Sequence, residues 1–344
     1  MPSDAALFPE PGLLVGEAGE EWSGDALFYE YSVAADPIGS GAISRVPVRQ
    51  FPAVLHRGGP TRMVVLDLSD ELGVPYPATS PGLLAAFVVV HPGESIITTP
   101  DATSELYYVM HGSGQSRFDT RPADTRPADD SPPSGEIRWR AGDFLTLPAG
   151  CTTEHTADLD LSEPDPRAVL YRVTDAPLLH YLGVRPDRGR FRPTHFDGIA
   201  ARARLAEIEQ DPRASQRSRV SVLLANSATP QTLTVTHALW AMLGVLPADR
   251  VQRPHRHQSV ALDLITECSP GCYSLVGAEV DRAGRIIDPV RVDWEPDGAF
   301  VTPAGMWHSH HNESGSPAYL IPIQDAGLHT YLRTLDIRFV PSEG

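Results

Sequence analysis

Lysine is missing from this 344-residue chain: all 28 Lys+Arg positions are arginine. Without lysine there is no Schiff-base amine, no Walker-type phosphate loop and no lysine general base. Positive charge is scarce as well. The 28 basic residues face 44 Asp+Glu, for a net charge of -16, which argues against nucleic acid or an anionic membrane as the main partner, since both require a basic footprint. A local arginine patch remains available for a small anion. Long apolar runs are lacking: nothing approaches the ~20 apolar residues of a membrane span, and the acidic residues 1–11 lack the apolar core of a signal peptide. Cysteine is limited to Cys151, Cys268 and Cys272. An odd number without a CxxC suits free thiols in a reducing compartment better than a disulfide scaffold or a zinc knuckle. Together these absences predict a cytoplasmic protein.

What is abundant is punctuation. Thirty-three prolines and 28 glycines interrupt short apolar runs in a chain that is 41% hydrophobic, a pattern of many short strands. One segment reads as helix: Asp197 is placed to cap residues 198–210, where Ile199, Leu205 and Ile208 recur at near-helical spacing. The chain also repeats itself. Gly142-Asp-Phe-Leu-Thr-Leu-Pro148-Ala-Gly150 returns as Gly298-Ala-Phe-Val-Thr-Pro303-Ala-Gly305, and the segment from Leu170 through Asp175 to Leu182 returns from Leu320 through Asp325 to Leu332. One β unit has been duplicated. The predicted fold is all-β, two jelly-roll barrels in tandem joined by a short helical connector. The expected divisions are an N-terminal extension (1–60), a first barrel (61–190), a connector (191–218) and a second barrel (219–344). The tandem Thr-Arg-Pro-Ala-Asp repeat between Phe118 and Glu136 is polar and proline-rich, and reads as a mobile hairpin loop.

Chemistry concentrates in the second unit. His255-Arg-His257 puts two imidazoles on one face of a strand. Among 13 histidines such a pair arises readily by chance. Its partner makes it informative: Gly298, Pro303 and Gly305 bound a short strand, and His308 opens the next one. At these spacings the sequence resembles the cupin superfamily. Within it the second unit resembles the catalytic cupin of bicupin dioxygenases of the gentisate, salicylate and 1-hydroxy-2-naphthoate type, through Leu239-Trp240-Ala241, Leu246-Pro247, His255-Arg256-His257, Trp307-His308-Ser309-His310 and Asp325.

The resemblance implies that His255, His257 and His308 bind non-haem iron(II), with nickel, copper, manganese or zinc also compatible with imidazole ligands. It implies a small aromatic substrate, an ortho-substituted phenol, cleaved with dioxygen, and a dimer or tetramer of identical chains. His310 and Arg256 are the candidate catalytic groups; Trp240, Arg253, Asp263 and Trp307 are the candidate substrate contacts. Arg253 and Arg256 flank the histidines as sources of positive charge, and the two tryptophans would wall an aromatic pocket. The sequence departs from the usual cupin motif at one position, where the ring-cleaving enzymes also lack the glutamate, and from those enzymes at two; it also carries the histidines in the second cupin, whereas that family normally keeps its iron in the first. Leu262 stands at the usual cupin glutamate, Asp263 where the ring-cleaving enzymes have arginine, and Gly244 where they have glutamine. If Leu262 faces the metal, alternation turns Asp263 away; turned inward, Asp263 would repel a carboxylate and favour an amino or hydroxyl substituent. In the first unit the two histidine positions fall at Thr98 and Pro100, leaving Glu105 and His155, too few ligands for a transition metal. Two further readings stay open: another cupin reaction on the same metal site (oxygenation, isomerisation or decarboxylation), and a ligand-binding bicupin without catalysis.

Overall fold

A computed structural model describes residues 14–15, 25–28, 30–119, 134–159, 165–186, 189–214, 217 and 219–340; residues 1–11 and the tandem repeat lie outside these. The chain divides into two compact units, Met1–Arg45 and Val46–Gly344. In the first, Leu14–Val15 pairs antiparallel with Leu27–Phe28, and the Glu30 carboxylate accepts the Ser32 amide at 2.9 Å at the start of helix Tyr31–Ala35.

In the second unit the described strands pair antiparallel. One six-stranded sheet runs in the order Thr194–Phe196, Phe144–Pro148, Ser104–His111, Ala168–Thr174, Leu84–Val90, Arg62–Val65; it is accompanied by the four-stranded sheet Ser95–Thr98, Thr152–Ala157, Ser113–Asp119, Gly135–Arg140. The duplicate has the six-stranded sheet Val220–Leu224, Trp240–Leu246, Ala318–Gln324, Ala261–Glu267, Ala299–Thr302, Gln50–Phe51, with the five-stranded sheet Val290–Asp293, Cys272–Gly277, Trp307–Asn312, Arg250–Arg256, Arg338–Phe339. The all-β, tandem-barrel expectation holds.

Burial explains why the long strands are apolar on both faces. Phe87, Tyr108, Tyr171 and Val173 of one large sheet share a single core with Leu243, Leu262, Leu264 and Ile321 of the other. The opposite faces line two separate interiors, one holding Val88, Tyr107, Leu145 and Leu170, the other Leu246, Ile265, Trp294, Phe300 and Leu320. A strand buried on both sides loses the alternating pattern of a half-exposed one. The repeated turns also match: Gly150 and Gly305 both adopt positive φ, +81° and +74°, which a side chain would strain.

Helix Gly198–Gln210 forms as expected, with the Asp197 carboxylate accepting the Ala200 amide at 2.8 Å. Its buried face is carried by Ala201 and Leu205, whereas Ile199 is 63% exposed. Two short segments join sheets: Gln50–Phe51 pairs with Ala299–Thr302, and Thr194–Phe196 with Phe144–Pro148. The three cysteines are free thiols. Among the described residues no helix is long and apolar enough to cross a membrane.

Candidate metal centre

His255 and His257 lie on Arg250–Arg256 and just beyond it, and His308 on the neighbouring Trp307–Asn312, where His255 and His308 are direct cross-strand partners. The pairing register shifts between Gln252 and His255. Such a bulge re-aims side chains, and here Gln252 and His255 are both buried opposite inward-facing partners. All three rings are 2–4% exposed, and one ligand nitrogen from each lies within 4.8 Å of the others.

The backbone fixes which nitrogen that is. His255 Nδ1 lies 3.0 Å from the Arg253 carbonyl, His257 Nδ1 2.8 Å from the Ser259 carbonyl and His308 Nδ1 3.0 Å from the Met306 carbonyl. A carbonyl oxygen only accepts, so every Nδ1 carries the proton and every Nε2 keeps a lone pair for a cation. Burial holds all three well below the ordinary histidine range, His257 at about 4, and so keeps them neutral. Three neutral imidazoles that present Nε2 lone pairs from adjacent strands fit a divalent transition ion and do not choose among such ions.

No family model and no curated protein matches the chain. Solved structures do. A salicylate 1,2-dioxygenase from Pseudaminobacter salicylatoxidans superposes with a TM-score of 0.64 at 15% identity, over 86% of this chain and 88% of that one. A point mutant of the same enzyme in complex with gentisate gives 0.64 at 15% over 90% of each chain. Procruciferin, an 11S globulin from Brassica napus, gives 0.53 at 13% over 86% and 87%. The chain has the bicupin fold.

The sequence placed several residues around the histidines of this bicupin, and strand alternation sorts them. His310 shares the inward face with His308; it is 1% exposed, and its ring centroid is 5.7 Å from that of His308 and 5.9 Å from that of His255. Trp294 donates its indole N–H to Ser274 Oγ at 2.9 Å, and Ser274 Oγ lies 2.7 Å from His310 Nδ1; with the serine as donor, the imidazole proton sits on Nε2. Trp240 follows Met242 on the inward side of its strand, with its indole nitrogen buried and unpartnered among the described residues. Arg256 and Trp307 are on the other face. Each alternates with inward histidines, and the guanidinium sits over the indole, 5.0 Å from its centroid. They brace the outside of the small sheet, so the expectation that Arg256 acts in catalysis and that Trp307 walls a pocket is revised. Arg253 reaches the Val340 carbonyl at 3.5 Å.

Asp263 overturns the spacing argument. Leu262 packs into the core shared by the two large sheets. Asp263 pairs with Phe300 and Pro322, on the inward face with Ile265 and Leu320. Register explains the slip: Glu105 opposes Thr174, one residue before Asp175, and Ala261 opposes Gln324, one residue before Asp325. Ala261, not Leu262, therefore stands at the glutamate position, because the segment from His257 to this strand is one residue shorter than its counterpart. Asp263 then faces inward by ordinary alternation, with no bulge needed. It is 2% exposed, accepts the Thr302 hydroxyl at 2.7 Å, and burial raises its carboxyl to about 6.

Sequence reasoning missed Arg219. Its guanidinium donates to Gln252 Oε1 at 3.1 and 3.3 Å and lies 3.2 Å from Met242 Sδ. Gln252 in turn donates Nε2–H to His255 Nε2 at 3.4 Å, a contact that only an unprotonated nitrogen accepts. The charge of Arg219, after burial, is a further reason why His255 and His310 stay neutral. A cleft of about 320 Å³ opens onto the same residues, lined by Arg217, Arg219, Arg250 and Gln252. The only signal in the sequence was an arginine directly preceding a strand, which is common.

Proposed function

We propose that this bicupin is an iron(II)-dependent dioxygenase that opens the ring of an ortho-substituted phenol, with His255, His257 and His308 as the metal ligands of the second barrel. The observation that carries this is the shared tautomer: three Nδ1–H groups tied to carbonyls and three Nε2 lone pairs converging from adjacent strands. The fold likeness to salicylate 1,2-dioxygenase supports the choice of reaction.

Iron(II), when bound, supplies open coordination positions and a redox partner for dioxygen. The protein's own part is positioning and charge. Arg219, which lines the cleft with Arg217, Arg250 and Glu209 and reaches Gln252 beside His255, is the anion partner for an acid group on the substrate. His310, with Ser274 holding Nδ1, presents Nε2–H to a substrate oxygen that gains negative charge. Trp240 lends an indole face and a free N–H at the inward rim. Burial of the histidines excludes bulk water, which strengthens each of these contacts. The division into extension, first barrel, connector and second barrel, the cytoplasmic location and assembly into dimers or tetramers belong to the same reading.

Metal analysis and oxygen uptake test it. Iron near one per chain and dioxygen consumption with an ortho-substituted phenol are expected, both lost in His308→Ala. Tight zinc or nickel without oxygen consumption would overturn the dioxygenase assignment in favour of another cupin reaction, and metal-free protein that still binds a ligand would leave a binding protein.

A further inference from the structure

Arg219 and Asp263 carry opposite charges towards the same barrel interior: the guanidinium reaches the inward-facing Gln252 and Met242, and the carboxylate lies on the inward face with Ile265 and Leu320. They are not joined: among the described residues no ion pair of 4.0 Å or less connects them. Each is held by neutral neighbours instead, Arg219 by Gln252 and Met242, Asp263 by Thr302. A buried carboxylate without a direct ionic partner is costly, and Arg219 is half-buried with only neutral contacts. A ligand that sets an anionic group beside the guanidinium and a hydrogen-bond donor beside the carboxylate would recover that cost on binding. An ionised carboxylate has only acceptor oxygens, so Asp263 welcomes N–H or O–H and repels a second acid group.

We propose that Arg219 and Asp263 together set the substrate class of the second barrel: an aromatic ring bearing an acid group for Arg219 and, besides the phenol oxygen, an amino or hydroxyl donor for Asp263. This rests on the metal-centre reading above. It makes Asp263 the residue that discriminates against a plain hydroxybenzoate, which offers the acid and the phenol oxygen but no further donor.

Calorimetric titration of the protein, both metal-free and loaded with redox-inert zinc, with salicylate, 3-hydroxyanthranilate and 2,3-dihydroxybenzoate tests this without turnover. The two donor-bearing ligands should bind at least about tenfold more tightly than salicylate, the scale of one hydrogen bond to a charged group; their order separates amino from hydroxyl. Asp263→Asn should collapse that ratio towards one, while Arg219→Met weakens all three ligands alike. Should Asp263→Asn fail to fold, Asp263→Ser reads the same ratio. An equal affinity of the wild-type protein for all three, no binding of any, or a ratio unchanged in the Asp263 variants overturns the proposal. Failure of the metal reading looks different: zinc would not load, yet the ratio would still be measurable in the metal-free protein.

Discussion

In the first barrel Trp139 donates its indole N–H to Ser116 Oγ at 2.8 Å, and Ser116 meets His155 Nδ1 at 2.8 Å; in the second, Trp294, Ser274 and His310 make the same contacts at 2.9 and 2.7 Å. The surroundings of these matched units differ. Where His255 pairs with His308, Thr98 pairs with Thr153. Where Ala261 and Asp263 face inward, Glu105 and Tyr107 do, and Glu105 accepts Arg172 Nε–H at 2.7 Å and the Tyr107 hydroxyl at 2.6 Å. The first barrel thus closes its charges on one another, while the second gathers three imidazole lone pairs, one of them met by the Gln252 amide at 3.4 Å, and two unjoined charges. Duplication preserved the scaffold; a few ligand positions decide whether chemistry can follow.

The largest effect that would break this contrast concerns metal. His308→Ala should lower metal affinity by about 100-fold or more, since removing even outer partners of ligands costs 10–100-fold. His155→Ala should leave the metal content unchanged. Elemental analysis of both variants decides it, and loss of metal from the His155 variant would mean that the first barrel also binds.

Next in size is the ion pair itself. The Arg172 and Glu105 side chains are 6% and 1% exposed. Arg172→Met leaves a buried carboxylate unpaired, expected to cost about 3–5 kcal/mol. Adding Glu105→Gln should restore much of this, with metal content intact throughout. Denaturant unfolding of the single and double variants measures the recovery, and a double variant no better than the single would show that Arg172 acts by packing alone.

Much of this was legible beforehand, for identifiable reasons. The duplicated Pro-Ala-Gly turns, the helix capped by Asp197 and the His255/His257/His308 set are local patterns, and local patterns survive in sequence. The inward face of the triad strands was also readable, and the same alternation that turns His308 and His310 inward assigns Trp307 to the outside, as it does Arg256 between His255 and His257. Asp263 was misread because spacing was counted through a connection whose length differs between the repeats. Arg219 depends on the register of Val220–Leu224 against Trp240–Leu246, which no single segment encodes. The two-residue strand Gln50–Phe51 carries no periodicity at all.

Acid should separate the barrels on a finer scale. Burial lowers His155 to about 3. Below the ordinary value of 6.5 the unfolded chain takes up a proton that the folded chain refuses, so stability is lost as pH falls from 6.5 towards about 3. The buried histidines of the second barrel, His257 at about 4 among them, act in the same direction, whereas Asp263, raised to about 6, opposes them by holding its proton longer when folded. Melting temperatures of metal-free protein should therefore fall below pH 6.5, and His155→Gln should flatten part of that fall. Zinc should protect only until protons compete for Nε2. A His155→Gln curve parallel to that of the wild type would remove the first barrel from the acid response.

The smallest difference is the most discriminating, because it exchanges the same atom in both barrels. Ser116→Ala and Ser274→Ala each strand a buried indole N–H and an imidazole Nδ1, at a cost of about 1–3 kcal/mol. Their stability losses should be similar, since the hydrogen bonds are. Only Ser274→Ala frees His310 to change tautomer beside the metal ligands, so only it should alter ligand affinity and lower kcat at unchanged metal content. Equal kinetic effects from both serines would mean that the unit works through barrel rigidity; an effect confined to Ser274 would mean that the second barrel has turned a shared structural contact into a positioning device.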